Sequence, residues 1–285
     1  MEKFKLYLQL MRVDKPIGFY LLMWPVVWAF LISTSGSPNI FYVIIFFVGI
    51  VITRSAGCVI NDYFDQDFDK RVERTKDRVL ANNQITNQEA LVLFLILISL
   101  CFLLLVMLDF KIIFYAIFSF LLIVSYPLMK RFFKVPQLIL GIAFGSSIPM
   151  VFILEKGEIT YECILLYLAT ILWAVAYDTY YAMADKKDDL KIGVKSSAVF
   201  FGDQDYIYAF YIQLIVIAIF LIIGITNSFN AVFYLSLFVS LLFILYQRGL
   251  AKHRIPFQCI SAFENNNLFG LTITFGLVFN YIFIS

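Results

Sequence analysis

The densest chemistry in the sequence lies between Asn61 and Arg78, N-D-Y-F-D-Q-D-F-D-K-R-V-E-R-T-K-D-R. This run holds six carboxylates and five Lys/Arg in a chain that is 62% apolar. On a helix turning about 100° per residue, Asp62, Asp65 and Asp69 fall within about 60° of one another. Like charges so placed repel, so helix propensity does not account for them. Three hard oxygen ligands on one face are what Mg²⁺ needs, particularly when a phosphate completes its shell. Taken alone, the run reads equally well as a solvated charged loop between membrane spans.

A second acidic stripe follows in Y-D-T-Y-Y-A-M-A-D-K-K-D-D-L-K-I-G-V-K-S-S, residues 177–197. Asp178, Asp185 and Asp189 stand at i, i+7 and i+11, within about 40° on a helical wheel. Tyr181 lies beside them and Asp188 is a little further round. Two such clusters around one cavity would be strongly acidic when empty. They suit a polyanionic substrate bridged by Mg²⁺, such as a diphosphate, with Lys and Arg on the oxygens not bound to metal.

Other charged groups lie near or within apolar runs, where ionisable residues are functional candidates by default. Arg54 shares a helix face with Asn61 (i+7) and Asp65 (i+11). In S-Y-P-L-M-K-R, Tyr126 and Lys130 stand at i, i+4, and Pro127 loosens that helix near its end. Lys130 and Arg131 are candidates for phosphate, with ordinary membrane-flanking charge as the alternative. Trp24, Trp28 and Trp173 are read as either interfacial belt or core. Gly141, Gly145, Ser146 and Ser147 read as sites of close helix approach.

The elements that must position these residues are membrane helices. The chain is 18% aromatic, only 15% charged and has a mean hydropathy of +0.87, which excludes an ordinary soluble domain. Its apolar runs of about 20 residues match a ~30 Å hydrocarbon core, where backbone must bond to itself. Cys58, Cys101, Cys163 and Cys259 lack metal or disulfide spacing, and His253 is the single histidine. Residues 1–16 are short, amphipathic and basic, with no signal-peptide cleavage pattern. Nine spans are expected, at 17–33, 40–60, 88–108, 111–128, 136–154, 161–184, 206–226, 231–247 and 267–284. With these spans, 20 of the 22 Lys/Arg fall on one side, leaving Lys111 and Lys156 on the other. The positive-inside rule then places the N-terminus in the cytoplasm and the C-terminus outside. Both acidic stripes leave the membrane on the cytoplasmic side, four spans apart. Spans 1–4 and 5–8 are therefore candidates for parallel repeats with a site between them, plus a ninth helix. A diphosphate at the mouth of a Phe-rich apolar cavity points to a lipid as its organic part.

The motifs N-D-x-x-D-x-x-x-D, R-T-x-x-R and Y-D-T-x-Y-A-M-x-D-x-x-D-D-x-x-x-G-x-K-S resemble the aspartate signatures of the UbiA superfamily of intramembrane aromatic prenyltransferases. The likeness extends to M-R-V-D-K-P-I-G at 11–18, Y-x-x-x-K at 126–130, P-Q-L-I-L-G-I-A-F-G-S-S-I-P-M at 136–150 and E-N-N-N at 264–267. It departs at Arg78-Val79-Leu80, where the family usually has R-P-L, and a change in loop order is expected there.

The resemblance implies an all-α polytopic membrane protein, a single domain over 1–285, with nine helices around a central cavity. Cytoplasmic segments at about 61–87 and 185–205 would cap it. It implies Mg²⁺ held by Asn61, Asp62, Asp65 and Asp69 and by Asp178, Asp185 and Asp189. Arg74, Arg78, Tyr126, Lys130 and Lys191 would contact diphosphate, with Tyr181, Arg131 and Asp188 near the site. The implied reaction is polyprenyl transfer from polyprenyl diphosphate to 4-hydroxybenzoate in ubiquinone biosynthesis, at a bacterial inner membrane. Arg54 would receive the acceptor carboxylate. The partners would be these two substrates and the bilayer, with no nucleic acid. Dihydroxynaphthoate, homogentisate or a porphyrin such as haem as acceptor, and a secondary transporter as a different class, are the alternatives.

Overall fold

The computed structural model describes residues 2–283, and the described residues are helical without strands. A short amphipathic α1 (Glu2–Leu10) leads through a turn to α2 (Ile17–Ser33), which begins behind Pro16. Then come α3 (Ile40–Asp69), α4 (Asn87–Val106) and α5 (Ile113–Phe132). The fifth apolar run is split into α6 (Gln137–Gly145) and α7 (Ser147–Lys156). The second half consists of α8 (Tyr161–Ile192), the short α9 (Ser197–Phe201), α10 (Asp205–Thr226), α11 (Ala231–Ala251) and α12 (Pro256–Ile282).

Local chemistry explains the ends. Asn39, Thr86, Thr160 and Asn230 accept backbone N–H bonds at helix starts, and Thr86 with Glu89 forms a full capping box. The break between α6 and α7 falls at Ser146, whose Oγ donates to Ala143 O at 2.6 Å. Pro149, just beyond, has no N–H to continue the ladder.

Among the described residues, seven helical stretches are long and apolar enough to cross a membrane, and Ile17–Ser33 is a shorter apolar helix. The chain is thus a multi-pass membrane protein. The expected ninth span, 267–284, begins instead at Pro256 and runs to Ile282, with residue 284 outside the described residues. Asn265, Asn266 and Asn267 dilute the hydropathy of α12. Asn266 is fully buried, accepting from Trp173 Nε1 at 2.9 Å and from Gln213 Nε2 at 3.0 Å, so an inward polar network hides a core helix from a hydropathy reading.

Trp24, Trp28 and Trp173 are all buried. Trp28 and Trp173 pack at 5.2 Å between centroids, and Trp28 Nε1 donates to Thr274 Oγ1 at 2.9 Å. Their indoles therefore belong to the core. Phe152, Phe220, Phe233 and Phe269 complete that cluster, while α4 and α5 turn Leu95, Leu103, Phe114 and Leu121 outward. Such faces are stable only against lipid.

Candidate active site

Both acidic stripes lie on helix. α3 continues through Asp69 and α8 through Ile192, so the first part of each expected cap segment, 61–87 and 185–205, is helical extension. On α3 the stripe is buried and fully paired. Asp62 Oδ1 accepts from Arg12 Nη2 at 2.5 Å and Arg78 Nη1 at 3.2 Å. Asp69 takes Arg78 Nη1 on both oxygens, at 2.9 and 2.8 Å. Asp65 Oδ2 accepts from Lys130 Nζ at 2.6 Å, and the same ammonium reaches Asn61 Oδ1 at 3.1 Å. The Lys130 ammonium also stands 5.2 Å from the Tyr126 ring centre, the i, i+4 pairing expected from the sequence.

Across the cavity, Arg74 crosses from the loop after α3 to α8. Its Nε donates to Asp185 Oδ1 at 2.8 Å, its Nη2 to Asp185 Oδ2, and its Nη1 to the Tyr181 hydroxyl at 2.5 Å. Its guanidinium also lies over the Tyr181 ring, 4.3 Å from the centroid. Burial lowers the guanidinium's proton affinity, but Tyr181 and Asp185 together outweigh it, leaving Arg74 above its ordinary pKa. Arg12 is likewise raised, with Asp62 overcoming burial. Both arginines are thus locked as cations.

Asp178 and Asp189 face the same space, with Gln137 reaching Asp178 and Ser196 reaching Asp189. The cavity measures about 1380 Å³. Its polar end is formed by the two stripes, Arg12, Arg74, Arg78, Lys130 and Arg131, and its apolar part by residues such as Phe46, Ile50, Leu105, Phe120 and Phe144. Arg54 sits in its wall, donating Nη1 to Cys58 Sγ at 2.8 Å and making no ion pair among the described residues. Gly18 makes room for it, since a Cβ there would overlap the guanidinium.

The profile of the UbiA prenyltransferase family matches residues 22–273. The chain belongs to this family. It is 44% identical over 275 residues to the 4-hydroxybenzoate octaprenyltransferase of Pseudoalteromonas translucida (strain TAC 125), covering 96% of this chain and 94% of the relative. The 4-hydroxybenzoate octaprenyltransferase of Coxiella burnetii (strain RSA 493 / Nine Mile phase I) is 42% identical, with 96% of each chain covered. Among solved structures, the apo UbiA homolog from Aeropyrum pernix K1 superposes with a TM-score of 0.79 at 20% identity, covering 91% of this chain and 97% of that one. A UbiA homolog from Archaeoglobus fulgidus bound to GPP and Mg²⁺ gives 0.72 at 16% identity, covering 96% and 99%. The fold is therefore that of the UbiA proteins.

Within this UbiA chain, Lys191 and Asp188 stand apart from the cavity wall. Lys191 is exposed and pairs with Asp188 at 3.0 Å, while Asp188 Oδ2 accepts from Glu73 N at 3.4 Å. Arg131 lies at the rim, donating to Phe64 O at 3.1 Å with its guanidinium over Phe68. Arg12 and Gln137 are the residues that sequence reasoning passed over. Arg12 is the M-R-V-D-K-P arginine, and membrane-flanking charge is enough to explain it from sequence. It adopts a left-handed backbone, φ 55°, in the turn before α2 that aims it at Asp62. Gln137, in the P-Q-L-I-L-G segment, is the first residue of α6.

The all-oxygen donor set suits a hard cation in kind. As arranged, the α3 carboxylates and Asp185 each hold an Arg or Lys. Among the described residues, no three acidic, His or Cys groups converge as a metal cage. Arg78 and Lys130 would have to release carboxylate oxygen for an ion to bind.

Proposed function

We propose that this protein transfers a polyprenyl group from polyprenyl diphosphate to the ring carbon of 4-hydroxybenzoate ortho to its hydroxyl, releasing diphosphate, in ubiquinone biosynthesis. The observation that carries this reading is the meeting of two acidic stripes and their cations at the polar end of one apolar cavity. Identity of 42–44% to proteins named for this activity supports it.

Asn61, Asp62, Asp65 and Asp69 would hold one Mg²⁺, and Asp178, Asp185 and Asp189 another. Bound Mg²⁺ would neutralise diphosphate oxygens and so make diphosphate a better leaving group. Arg74, Arg78 and Lys130 donate to the remaining diphosphate oxygens, trading their present carboxylate partners for substrate, and the Tyr126 hydroxyl donates beside Lys130. Lys191 contributes from the rim as a longer-range cation. The apolar wall receives the isoprenoid chain and excludes water from the allyl cation left when the C–O bond ionises. The acceptor ring attacks that cation, its ortho carbon forms the new C–C bond, and loss of the ring proton restores aromaticity. Arg54, free of carboxylate partners among the described residues, receives the acceptor's carboxylate.

In this reading the whole chain is one domain. It has nine membrane helices arranged as two four-helix parallel repeats plus α12. It lies in the bacterial inner membrane with its N-terminus and site cytoplasmic and its C-terminus outside, as the Lys/Arg distribution supports. The test is purified protein given radiolabelled farnesyl diphosphate and a panel of 4-hydroxybenzoate, dihydroxynaphthoate and homogentisate, with Mg²⁺ or with EDTA. Prenylated 4-hydroxybenzoate in the Mg²⁺ arm, lost with EDTA, is expected. Product with another acceptor only, or undiminished turnover in EDTA, would overturn the acceptor or the metal assignment respectively.

A further inference from the structure

Lys195 lies outside the cavity wall, yet it holds the helix end that carries Lys130. An α-helix leaves its last four carbonyls without intrahelical donors. In α5 these belong to Met129, Lys130, Arg131 and Phe132. Met129 O accepts from Phe133 N at 2.8 Å. Lys130 O accepts from Lys195 N at 3.0 Å, and Phe132 O accepts from Lys195 Nζ at 3.0 Å. One residue of a distant connection therefore satisfies two of the four. It also places a positive charge at the negative end of the helix dipole. That help matters here because Pro127 supplies no N–H to the ladder one turn earlier.

Lys195 is itself held in register by the second stripe's helix. α8 ends at Gly193, φ +76°, a left-handed turn in which Gly193 N and Val194 N both donate to Asp189 O. Two residues past Lys195, Ser197 N donates to Gln137 Oε1 at 2.8 Å and Ser197 Oγ bonds Thr179 Oγ1 at 2.7 Å. Residues 193–197 thus form a strap from the end of α8 to the α5–α6 junction. Through it, the position of Asp189 is mechanically tied to that of Lys130.

We infer that Lys195 is a positioning residue for prenyl diphosphate binding, setting the Lys130 ammonium against Asn61 and Asp65 and coupling the two acidic stripes. This inference rests on the diphosphate role given to Lys130 above. A lysine that only stabilised the fold would lower thermal stability and move both substrates' KM values alike.

The experiment uses full-length protein in detergent, as wild type, Lys195→Ala, Lys195→Arg, Lys130→Ala and the double alanine variant. The readouts are KM for farnesyl diphosphate and for 4-hydroxybenzoate, calorimetric affinity for inorganic diphosphate, and amide exchange at residues 130–133. Lys195→Ala should raise the farnesyl diphosphate KM by about 2- to 5-fold, the scale of one cation at a helix C-terminus, with the acid KM unchanged. Lys195→Arg should restore it. Exchange at 130–133 should quicken, and Lys195→Ala should add no further loss of diphosphate affinity on top of Lys130→Ala. Additive losses, unchanged exchange, or an equal rise in both KM values would overturn the inference. Unchanged diphosphate affinity in Lys130→Ala would instead overturn the diphosphate role of Lys130. Quickened exchange in Lys195→Ala would then mark the failure as that of the site reading and not of the strap.

Discussion

The stripe on α3 and the stripe on α8 have the same ligand chemistry but are neutralised in opposite ways. Asp62, Asp65 and Asp69 are 3%, 6% and 7% exposed, and each has a guanidinium or ammonium against it, drawn from Arg12, Arg78 and Lys130. On α8, Asp185 has Arg74, lent by the loop after α3, while Asp178 and Asp189 enter no ion pair among the described residues. The first stripe is thus a charge-balanced block, and the second has carboxylate capacity to spare. Placing buried ions together is costly unless they are paired, and removing one partner of a buried pair costs about 3–5 kcal/mol. Under the proposed function, a site built this way would exchange partners: an incoming polyanion would take the cations of the first stripe, and the oxygens they leave, with those already open on the second, would be available to a divalent cation.

The sharpest way to break this comparison is to neutralise one carboxylate in each stripe. Asp65→Asn and Asp185→Asn should each lower turnover by at least about 100-fold, since several kcal/mol of charge stabilisation are lost. Their stabilities should differ. Asp65→Asn leaves the half-buried Lys130 ammonium without its counter-ion in a site packed with other cations, so the melting temperature should fall by several degrees. Asp185→Asn leaves Arg74 beside the Tyr181 hydroxyl at a side-chain exposure of 34%, and the melting temperature should hardly move. Equal melting shifts, read by scanning fluorimetry in detergent, would remove the contrast; full activity in either variant would remove the two-cluster site.

The stripes were legible in the sequence because aspartate spacing at i, i+3 and i+7, and at i, i+7 and i+11, has no helix-stabilising explanation. The apolar runs were legible because lipid admits so few backbone solutions. Arg12 was not, because its separation of 50 positions from Asp62 follows no local period, and its charge already had a sufficient explanation in membrane topology. The start of α12 at Pro256 was hidden by Asn265, Asn266 and Asn267, which count against a span by hydropathy although Asn266 is buried in a satisfied network. The indoles were ambiguous for a related reason: Trp suits both an interface and a core, and only partners such as Thr274 and Asn266 decide.

Arg54 sharpens the comparison from a third position. It shares a face of α3 with the paired stripe but has no carboxylate of its own among the described residues, and Asp178, which enters no ion pair there, feels its charge. Arg54→Ala should raise the KM for 4-hydroxybenzoate by about 10-fold, the loss of one charge-assisted carboxylate contact. The prenyl diphosphate KM should stay within about 2-fold, because in the proposed function the diphosphate is held by the cations of the stripes. Steady-state kinetics with each substrate varied in turn would check this. An unchanged acid KM removes Arg54 from that role.

The smallest expected effect concerns how the two stripes are closed off. α8 stops at the left-handed Gly193 and its strap, whereas the loop after α3 is held by side chains. Val79 and Leu80 are buried in a cluster with Leu10, Ile60, Ile85 and Phe94, and Gln66 Nε2 donates to Leu80 O at 2.8 Å. Val79 O accepts from Gln84 N at 3.0 Å, while the Val79 N–H donates to no backbone carbonyl among the described residues. Proline, usual at this position in the resemblance drawn from sequence, would therefore cost no ladder bond there and would still fill part of the cluster. Valine in its place supplies more apolar contact and less rigidity, so packing substitutes for a fixed φ. Val79→Pro should leave kcat/KM within about 2-fold and shift stability by no more than about 1 kcal/mol. A larger loss of activity, with Arg78 displaced from Asp62 and Asp69, would mean that the first stripe depends on backbone freedom at Val79 and not on its buried side chains.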